Sequence, residues 1–335
     1  MEREEITLRR LSAQHLLRKA DTQTVVKDLC GIQSQFLSHA LHGLSIRCSE
    51  VSTDGLVKSW TNRGTMHLFS TDDLPLFLHE GRKHNLRPVD TLESDAFLCS
   101  ERKAYFADII MAGITEGIDQ RDALKALCES CGMTDTEAKS VFDPWGGLIR
   151  ALCESGRICH RVQEKKAYQL CPSFEPMEET PARLELARRY FTYFGPATIK
   201  DAAYFFGDTQ ARVKGWLKDL PAEETICGGK TYFYIENLTS ADDQMPDCLF
   251  LAGFDQFLLG YEKTESLILP QEHLRHIFNL AGIVRPAVLL HGQIVGWWNL
   301  KNRKLTVTLF SPGDKKLITD SALRLWNDLK SITFK

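Results

Sequence analysis

The sequence predicts an α+β chain, rich in helix: three tandem winged helix-turn-helix domains followed by a small β-rich C-terminal domain. Three observations carry that prediction. A phrase of helix-period apolar stretches closed by one or two short strands recurs three times. From about Asp247 the pattern changes to short alternating strands. The length, 335 residues, has room for two to four domains of roughly 100–200 residues each. The divisions that follow are 1–95 for the first winged helix, 96–175 for the second, 176–242 for the third and 243–335 for the C-terminal domain, with Asp242-Asp243 in the linker.

The elements read in order as follows. In the first pass Ile6, Leu8, Leu11, Leu16 and Leu17 place a helix over Ile6–Lys19. Asp21 caps a second helix through Leu29 that ends near Gly31. Leu41–Cys48 reads as a strand, Ser52–Trp60 as a third helix with Thr53 or Asp54 near its cap, and Gly64–Ser70 as an alternating strand. In the second pass Tyr105–Glu116, Arg121–Cys131 and Thr136–Cys153 are helical, the last broken by Pro144 and Gly146-Gly147. Gly156–Val162 and Ala167–Leu170 form a hairpin. The third pass has a helix over Pro181–Phe194, punctuated by Gly195-Pro196. A short helix Ile199–Phe206, a turn at Gly207-Asp208 and a helix Ala211–Leu220 follow, closed by a hairpin around Gly228-Gly229. Beyond the linker, Cys248–Phe250, Ile283–Leu290, Gln293–Asn299 and Leu305–Phe310 are strands, Gly292 supplies a turn, and Ser321–Leu329 is a last helix.

Composition narrows the class. Apolar residues make up 43% and charged residues 25% of the chain, the balance of an ordinary globular protein, which excludes a largely disordered, collagenous or coiled-coil chain. No apolar run reaches roughly 18 residues. Met1-Glu2-Arg3-Glu4-Glu5 is acidic with no apolar stretch behind it. Neither a membrane span nor a secretory signal is expected, and a cytoplasmic protein is the default. The ten cysteines run from Cys30 to Cys248 and read as buried thiols in a reducing compartment. Cys128 and Cys131 are a lone C-x-x-C with no second pair. The pairs His39/His42 and His273/His276 have metal-compatible spacing, but the sequence places no carboxylate or thiol beside them. No metal and no cofactor are expected.

The formal net charge of -3 hides a distribution: residues 6–90 and 247–335 carry an excess of Lys and Arg, residues 91–246 an excess of Asp and Glu. Phosphate contacts act within about 8–10 Å at ordinary ionic strength, so local charge decides and the total leaves nucleic acid open. A winged helix-turn-helix normally lays the helix after its turn into a DNA groove. Arg212, Lys214 and Lys218 on that helix fit the task. Each alone fits a solvated surface equally well; three repeats in tandem favour nucleic acid.

No catalytic signature stands out by spacing. There is no phosphate-binding P-loop, G-x-G-x-x-G, G-x-S-x-G or zinc-deaminase pattern. One feature is unusual: Gly31-Ile32-Gln33-Ser34-Gln35, two glutamines two apart after a helix end. It lies between Leu8-Arg9-Arg10-Leu11 and Ser59-Trp60-Thr61-Asn62-Arg63-Gly64-Thr65-Met66-His67-Leu68. Phe254-Asp255-Gln256-Phe257-Leu258-Leu259-Gly260-Tyr261 and Gly296-Trp297-Trp298 follow further on. Together, and in this order over essentially the whole chain, these strings resemble the bacterial winged-helix DNA glycosylases of the azinomycin-resistance, AlkZ-like family.

The resemblance implies three winged-helix domains and a C-terminal β-barrel-like domain around duplex DNA. It implies excision of N7-alkylated purines, including the unhooking of interstrand crosslinks. The family's glutamine–aliphatic–glutamine motif maps onto Gln33 and Gln35 as catalytic residues, with Ser34 departing from the aliphatic middle. A purine alkylated at N7 is cationic, so its glycosidic bond is already weak and two neutral amides that hold a water suffice. Arg63 and His67 are candidate DNA contacts, Arg63 alternatively a turn arginine and His67 a structural histidine. Trp60 reads as core, Phe254, Leu258 and Leu259 as packing, and Asp255 and Tyr261 as structural hydrogen-bonding groups. Family members commonly follow the tyrosine with x-Asp-Arg, where this chain has Glu262-Lys263-Thr264. Lys263 is then left to contact DNA alone, without arginine's bidentate geometry. The motif places no lysine for a Schiff base, so the expected enzyme is monofunctional, working as a monomer on double-stranded DNA. The alternative is a non-catalytic tandem winged-helix protein or transcriptional regulator, indifferent to loss of either glutamine.

Overall fold

The computed structural model describes residues 1–61, 63–82, 90–92, 95, 98–143 and 146–335. Asn62 of the quoted string and Pro144, the expected helix break, lie outside the described residues. The chain divides into two compact units, Met1–Ser52 with Leu184–Lys335, and Thr53–Arg183.

The first unit opens with α1 (Arg3–Ala13), α2 (Thr22–Asp28), a two-residue strand β1 (Ile32–Gln33) and α3 (Leu37–Ser45). The first helix stops short of the predicted Lys19 because His15 takes a positive φ of 58°, which no helix tolerates. Asp21 caps α2 as expected, accepting from the Thr24 amide at 2.9 Å. The strand predicted over Leu41–Cys48 is instead most of α3. Leu37, Ala40, Gly43 and Leu44 are its buried residues, a helical spacing that begins before the apolar run does.

The second unit holds β2 (Leu56–Trp60), β3 (Met66–Ser70), α4 (Leu74–Phe77), α5 (Ser100–Thr115), α6 (Arg121–Ser130), α7 (Asp135–Val141), α8 (Gly147–Glu154), β4 (Ile158–His160) and β5 (Tyr168–Leu170). The helix predicted over Ser52–Trp60 is the strand β2. It pairs antiparallel with β3 from Leu56↔Ser70 to Trp60↔Met66 and with β4 at Lys58↔His160. Phe106, Ile110, Leu124, Val141, Leu152 and Ile158 form the core of this unit, each contributing about 1.5–3 kcal/mol by leaving water. Trp60 packs against that core and carries the Arg150 guanidinium 4.0 Å over its ring, as the packing reading expects.

The rest of the first unit follows the chain from α9 (Glu179–Tyr193) through α10 (Ile199–Phe206) and α11 (Gln210–Lys218) to the hairpin β6 (Glu223–Cys227) and β7 (Lys230–Tyr234). Thr198 and Asp201 cap α10 reciprocally. Gly207, at φ 60°, ends it and turns the chain into α11, a conformation open to glycine at little cost. The C-terminal part contains β8 (Cys248–Phe250), α12 (Gln256–Leu259), α13 (Leu274–Ile277), β9 (Ala287–Leu290), β10 (Gln293–Lys301), β11 (Lys304–Leu309), α14 (Lys315–Leu325) and β12 (Ser331–Phe334).

These strands make an open sheet in the order β12-β11-β10-β9-β8, and the expected barrel-like closure is not there. Alternate side chains explain why. Ala287 and Leu289 enter one core with Phe257, Leu258 and Ile277, whereas Val288, Trp298, Leu305 and Val307 enter another with Ile318 and Ala322 of α14. A sheet covered on both faces by other elements buries its apolar groups without curling onto itself. The predicted last helix also shifts: α14 begins earlier, capped by Asp314, and β12 follows it, parallel to β11.

Candidate active site

The glutamine loop begins at the end of α2. The Cys30 amide donates to Lys27 O at 3.2 Å and the Gly31 amide to Val26 O at 2.7 Å, the paired bonds of a Schellman turn. Cys30 and Gly31 both take positive φ, 51° and 79°. The turn is held from outside as well. Arg189 donates to Lys27 O at 3.2 Å, and the Asp28 carboxylate lies 2.7 Å from the His15 ring. Burial, with the Asp28 carboxylate beside it, pushes the Tyr193 hydroxyl up.

From this anchored turn the chain passes from interior to surface within three residues. Gln33 is 9% exposed, Ser34 is fully enclosed, and Gln35 lies open to solvent. The Ser34 hydroxyl, at the middle position of the motif, is buried without a hydrogen-bond partner. Among the described residues, neither glutamine carboxamide has a hydrogen-bond partner. Each carries an acceptor oxygen and two donors, and α3 starts just beyond at Leu37. Phe36 is its N-cap, offers no side-chain cap and is 45% exposed.

Arg63 and His67 belong to the second unit, in the turn and strand around Thr65. His67 is wholly enclosed. Its Nδ1 lies 3.0 Å from both Thr65 O and Thr61 Oγ1, so donation to the carbonyl leaves Nε2 as an acceptor, 3.4 Å from Arg63 Nη1. Burial first, then the neighbouring Arg63 charge, pushes the imidazole down to about 3. It is a neutral brace behind the half-buried Arg63 side chain. Arg212 on α11 is exposed and forms an i,i+4 ion pair with Asp208 at 3.3 Å. Lys214, one residue beyond Val213, is fully on the surface. Lys263 is half-buried, its ammonium 5.9 Å over the Phe278 ring.

The string from Phe254 to Tyr261 forms a buried brace. Asp255 caps α12 by accepting from the Phe257 amide at 2.8 Å, and it receives both Arg47 Nη atoms at 3.0 and 2.6 Å. Arg47 also donates to Gln14 O and Gly43 O. The Tyr261 hydroxyl donates to Phe194 O at 3.1 Å and accepts from Gln14 Nε2 at 2.8 Å, with the Arg10 guanidinium 3.7 Å over its ring. Both residues are buried, as the structural reading expects. His42 bonds Phe250 O at 2.8 Å and lies against Trp298 and Trp326. Among the described residues no group of three His, Cys, Asp or Glu side chains is placed to hold a metal. No helix among them is long and apolar enough to cross a membrane. The sequence reading did not single out Phe36, whose exposure follows from how the chain folds around it.

The structure is thus an α+β, helix-rich chain that presents a pair of amides, unpartnered among the described residues, on an anchored loop, and its relatives place it in the class of DNA glycosylases. The AlkZ-like DNA glycosylase family model matches residues 26–324, and the chain belongs to that family. The interstrand DNA cross-link repair glycosylase of Streptomyces sahachiroi is 27% identical over 319 residues, 85% of this chain and 84% of that one. The solved structure of Streptomyces sahachiroi DNA glycosylase AlkZ superposes with a TM-score of 0.77 at 21% identity, covering 100% of this chain and 99% of that one.

Proposed function

We propose that this glycosylase hydrolyses the N-glycosidic bond of N7-alkylated, cationic purines in double-stranded DNA, including crosslinked ones, with a water positioned by Gln33 and Gln35. The observation that carries this reading is the pair of carboxamides at the exit of the anchored turn, without partners among the described residues. The cross-link repair glycosylase of Streptomyces sahachiroi, which matches most of the chain, supports crosslinks as substrates. The reaction needs little from the protein. The C1′–N9 bond breaks with its electron pair passing to the purine, which leaves neutral; water oxygen bonds C1′ and its proton passes to solvent. An amide carbonyl orients such a water without deprotonating it, and the amide N–H groups hold the sugar-phosphate. Uncharged bases, which leave as anions, are then poor substrates.

The divisions 1–95, 96–175, 176–242 and 243–335 serve as three winged-helix modules and a β-rich end. Helix, turn, helix and hairpin from α10 to β7 support the third. Arg63, Arg212, Lys214 and Lys263 contact phosphates, with His67 acting through Arg63. The enzyme works as a cytoplasmic monomer and forms no Schiff base.

The test is release of base from duplex DNA carrying one N7-methylguanine, in EDTA, by the wild type and by the Gln33→Ala/Gln35→Ala variant. Release by the wild type alone is the expected result. Equal release by both moves the site away from the glutamines. No release, on this duplex or on a nitrogen-mustard crosslink, overturns the substrate class.

A further inference from the structure

We propose that Phe36 is the platform on which the enzyme receives the cationic purine, and that its ring face discriminates the charged base from neutral guanine. This deepens the reading above and rests on the substrate base being cationic.

Phe36 directly follows Gln35 and keeps 45% of its surface exposed, although it has no polar atom to offer water. Its position also forgoes local stability. It is the N-cap of α3, where Ser, Thr, Asp or Asn would accept from the first amides, and it makes no such bond. Its orientation is nevertheless held. The ring stacks on Phe254 at 5.6 Å between centroids and 28° between planes, and His39 stands edge-on at 6.0 Å and 76°. Both supports are themselves fixed. Phe254 is buried, in a left-handed conformation at φ 58°. The His39 ring lies so close to the backbone of Gly253 that an added Cβ would come within 3.0 Å. An exposed ring clamped from behind, one residue from the amides, presents a rigid π face.

Such a face is electronegative. It stacks on any purine, but a delocalised positive charge gains a further cation–π attraction, worth about fivefold in affinity at a partly exposed site. Leucine keeps the apolar volume and loses that face; tryptophan enlarges it.

The experiment compares wild type, Phe36→Leu and Phe36→Trp on two duplexes, one with a single N7-methyl-2′-fluoro-2′-deoxyguanosine, which resists hydrolysis, and one with guanine. The ratio of the two dissociation constants is the readout, with thermal melts checking that each variant folds. The ratio should fall about fivefold in Phe36→Leu and hold or rise in Phe36→Trp. An unchanged ratio in Phe36→Leu overturns the proposal, as does a wild type without preference. Base release from the cleavable duplex by wild type is measured beside it. Release together with an unchanged ratio removes Phe36 and leaves the glycosylase reading standing. A lost ratio without release keeps the Phe36 platform and removes the proposed catalysis.

Discussion

Ser34 and Gly31 shape the glutamine loop through opposite physical requirements. Ser34 is enclosed with its hydroxyl unpaired, and a buried hydroxyl without a partner costs about 1–3 kcal/mol. Ser34→Ala should therefore raise stability by about 1 kcal/mol in urea titrations and leave base release intact; a stability loss would show that the hydroxyl finds a partner in solution. Gly31, at φ 79°, is in a region that costs any residue with a Cβ about 1–2 kcal/mol. Gly31→Ala should lose that much stability and lower single-turnover release as well, because the turn that aims Gln33 must relax. If release is untouched while stability falls, the turn does not position the amide. At this scale the sequence singles out Gln33 and Gln35, because two polar amides after a helix end stand out locally. It was silent on Phe36, because exposure depends on what folds around a residue rather than on its neighbours in the chain.

Elements differ from residues in that their identity depends on partners far along the chain. The two exchanged assignments show this. Four of the five β2 residues are buried, Lys58 among them, so the strand has no polar face and no period of two to read. The segment becomes a strand because β3 and β4 flank it. The α3 segment has its helical spacing spread over Leu37, Ala40 and Leu44, too short to declare itself. The third pass was legible throughout because its caps are local: Thr198, Asp201, Thr209 and Gly207 mark the ends of α10 and α11. The string containing Asp255 was legible as a motif, and the structure supplies its reason. Asp255 joins α12 to α3 through Arg47, and both side chains are buried. Removing one partner of such a pair leaves an uncompensated charge and costs about 3–5 kcal/mol. Asp255→Ala should lose that much in chemical denaturation. Arg47→Met/Asp255→Leu should recover most of it, since the desolvation cost goes with both charges. Equal loss in the single and double variants would mean that the backbone bonds of Arg47 and the cap of α12, rather than charge pairing, hold the elements together.

For the whole molecule, the histidines predict how stability depends on pH. His67 and His160 lie buried on β3 and β4, the two strands that flank β2 in the second unit, and burial pushes each down to about 3; Arg63 adds to the effect at His67, and Lys58 and Lys166 at His160. In the unfolded chain both titrate near 6.5. Below that value the unfolded state takes up a proton at each of these two histidines that the folded state refuses, and burial opposes protonation of His39, His42 and His79 in the same direction. Folding stability is therefore fully present above about pH 6.5 and falls as pH drops towards 3, by roughly 1.4 kcal/mol per pH unit for each histidine. The carboxylates act later. Glu137, held down to about 2 chiefly by Arg102, begins to lose its contribution only below its ordinary value of 4.5. Between pH 7 and 5 the histidines dominate, and the urea midpoint should drop steeply over that interval. Replacing His160 by Phe removes one of these protons and should flatten the dependence; a midpoint equal at pH 7 and 5 would contradict this pH dependence. The same acid sensitivity reaches Arg63. Neutral His67 accepts from Arg63, whereas a protonated ring has no lone pair at Nε2 and repels the guanidinium, so the brace and the unit that contains it are lost together.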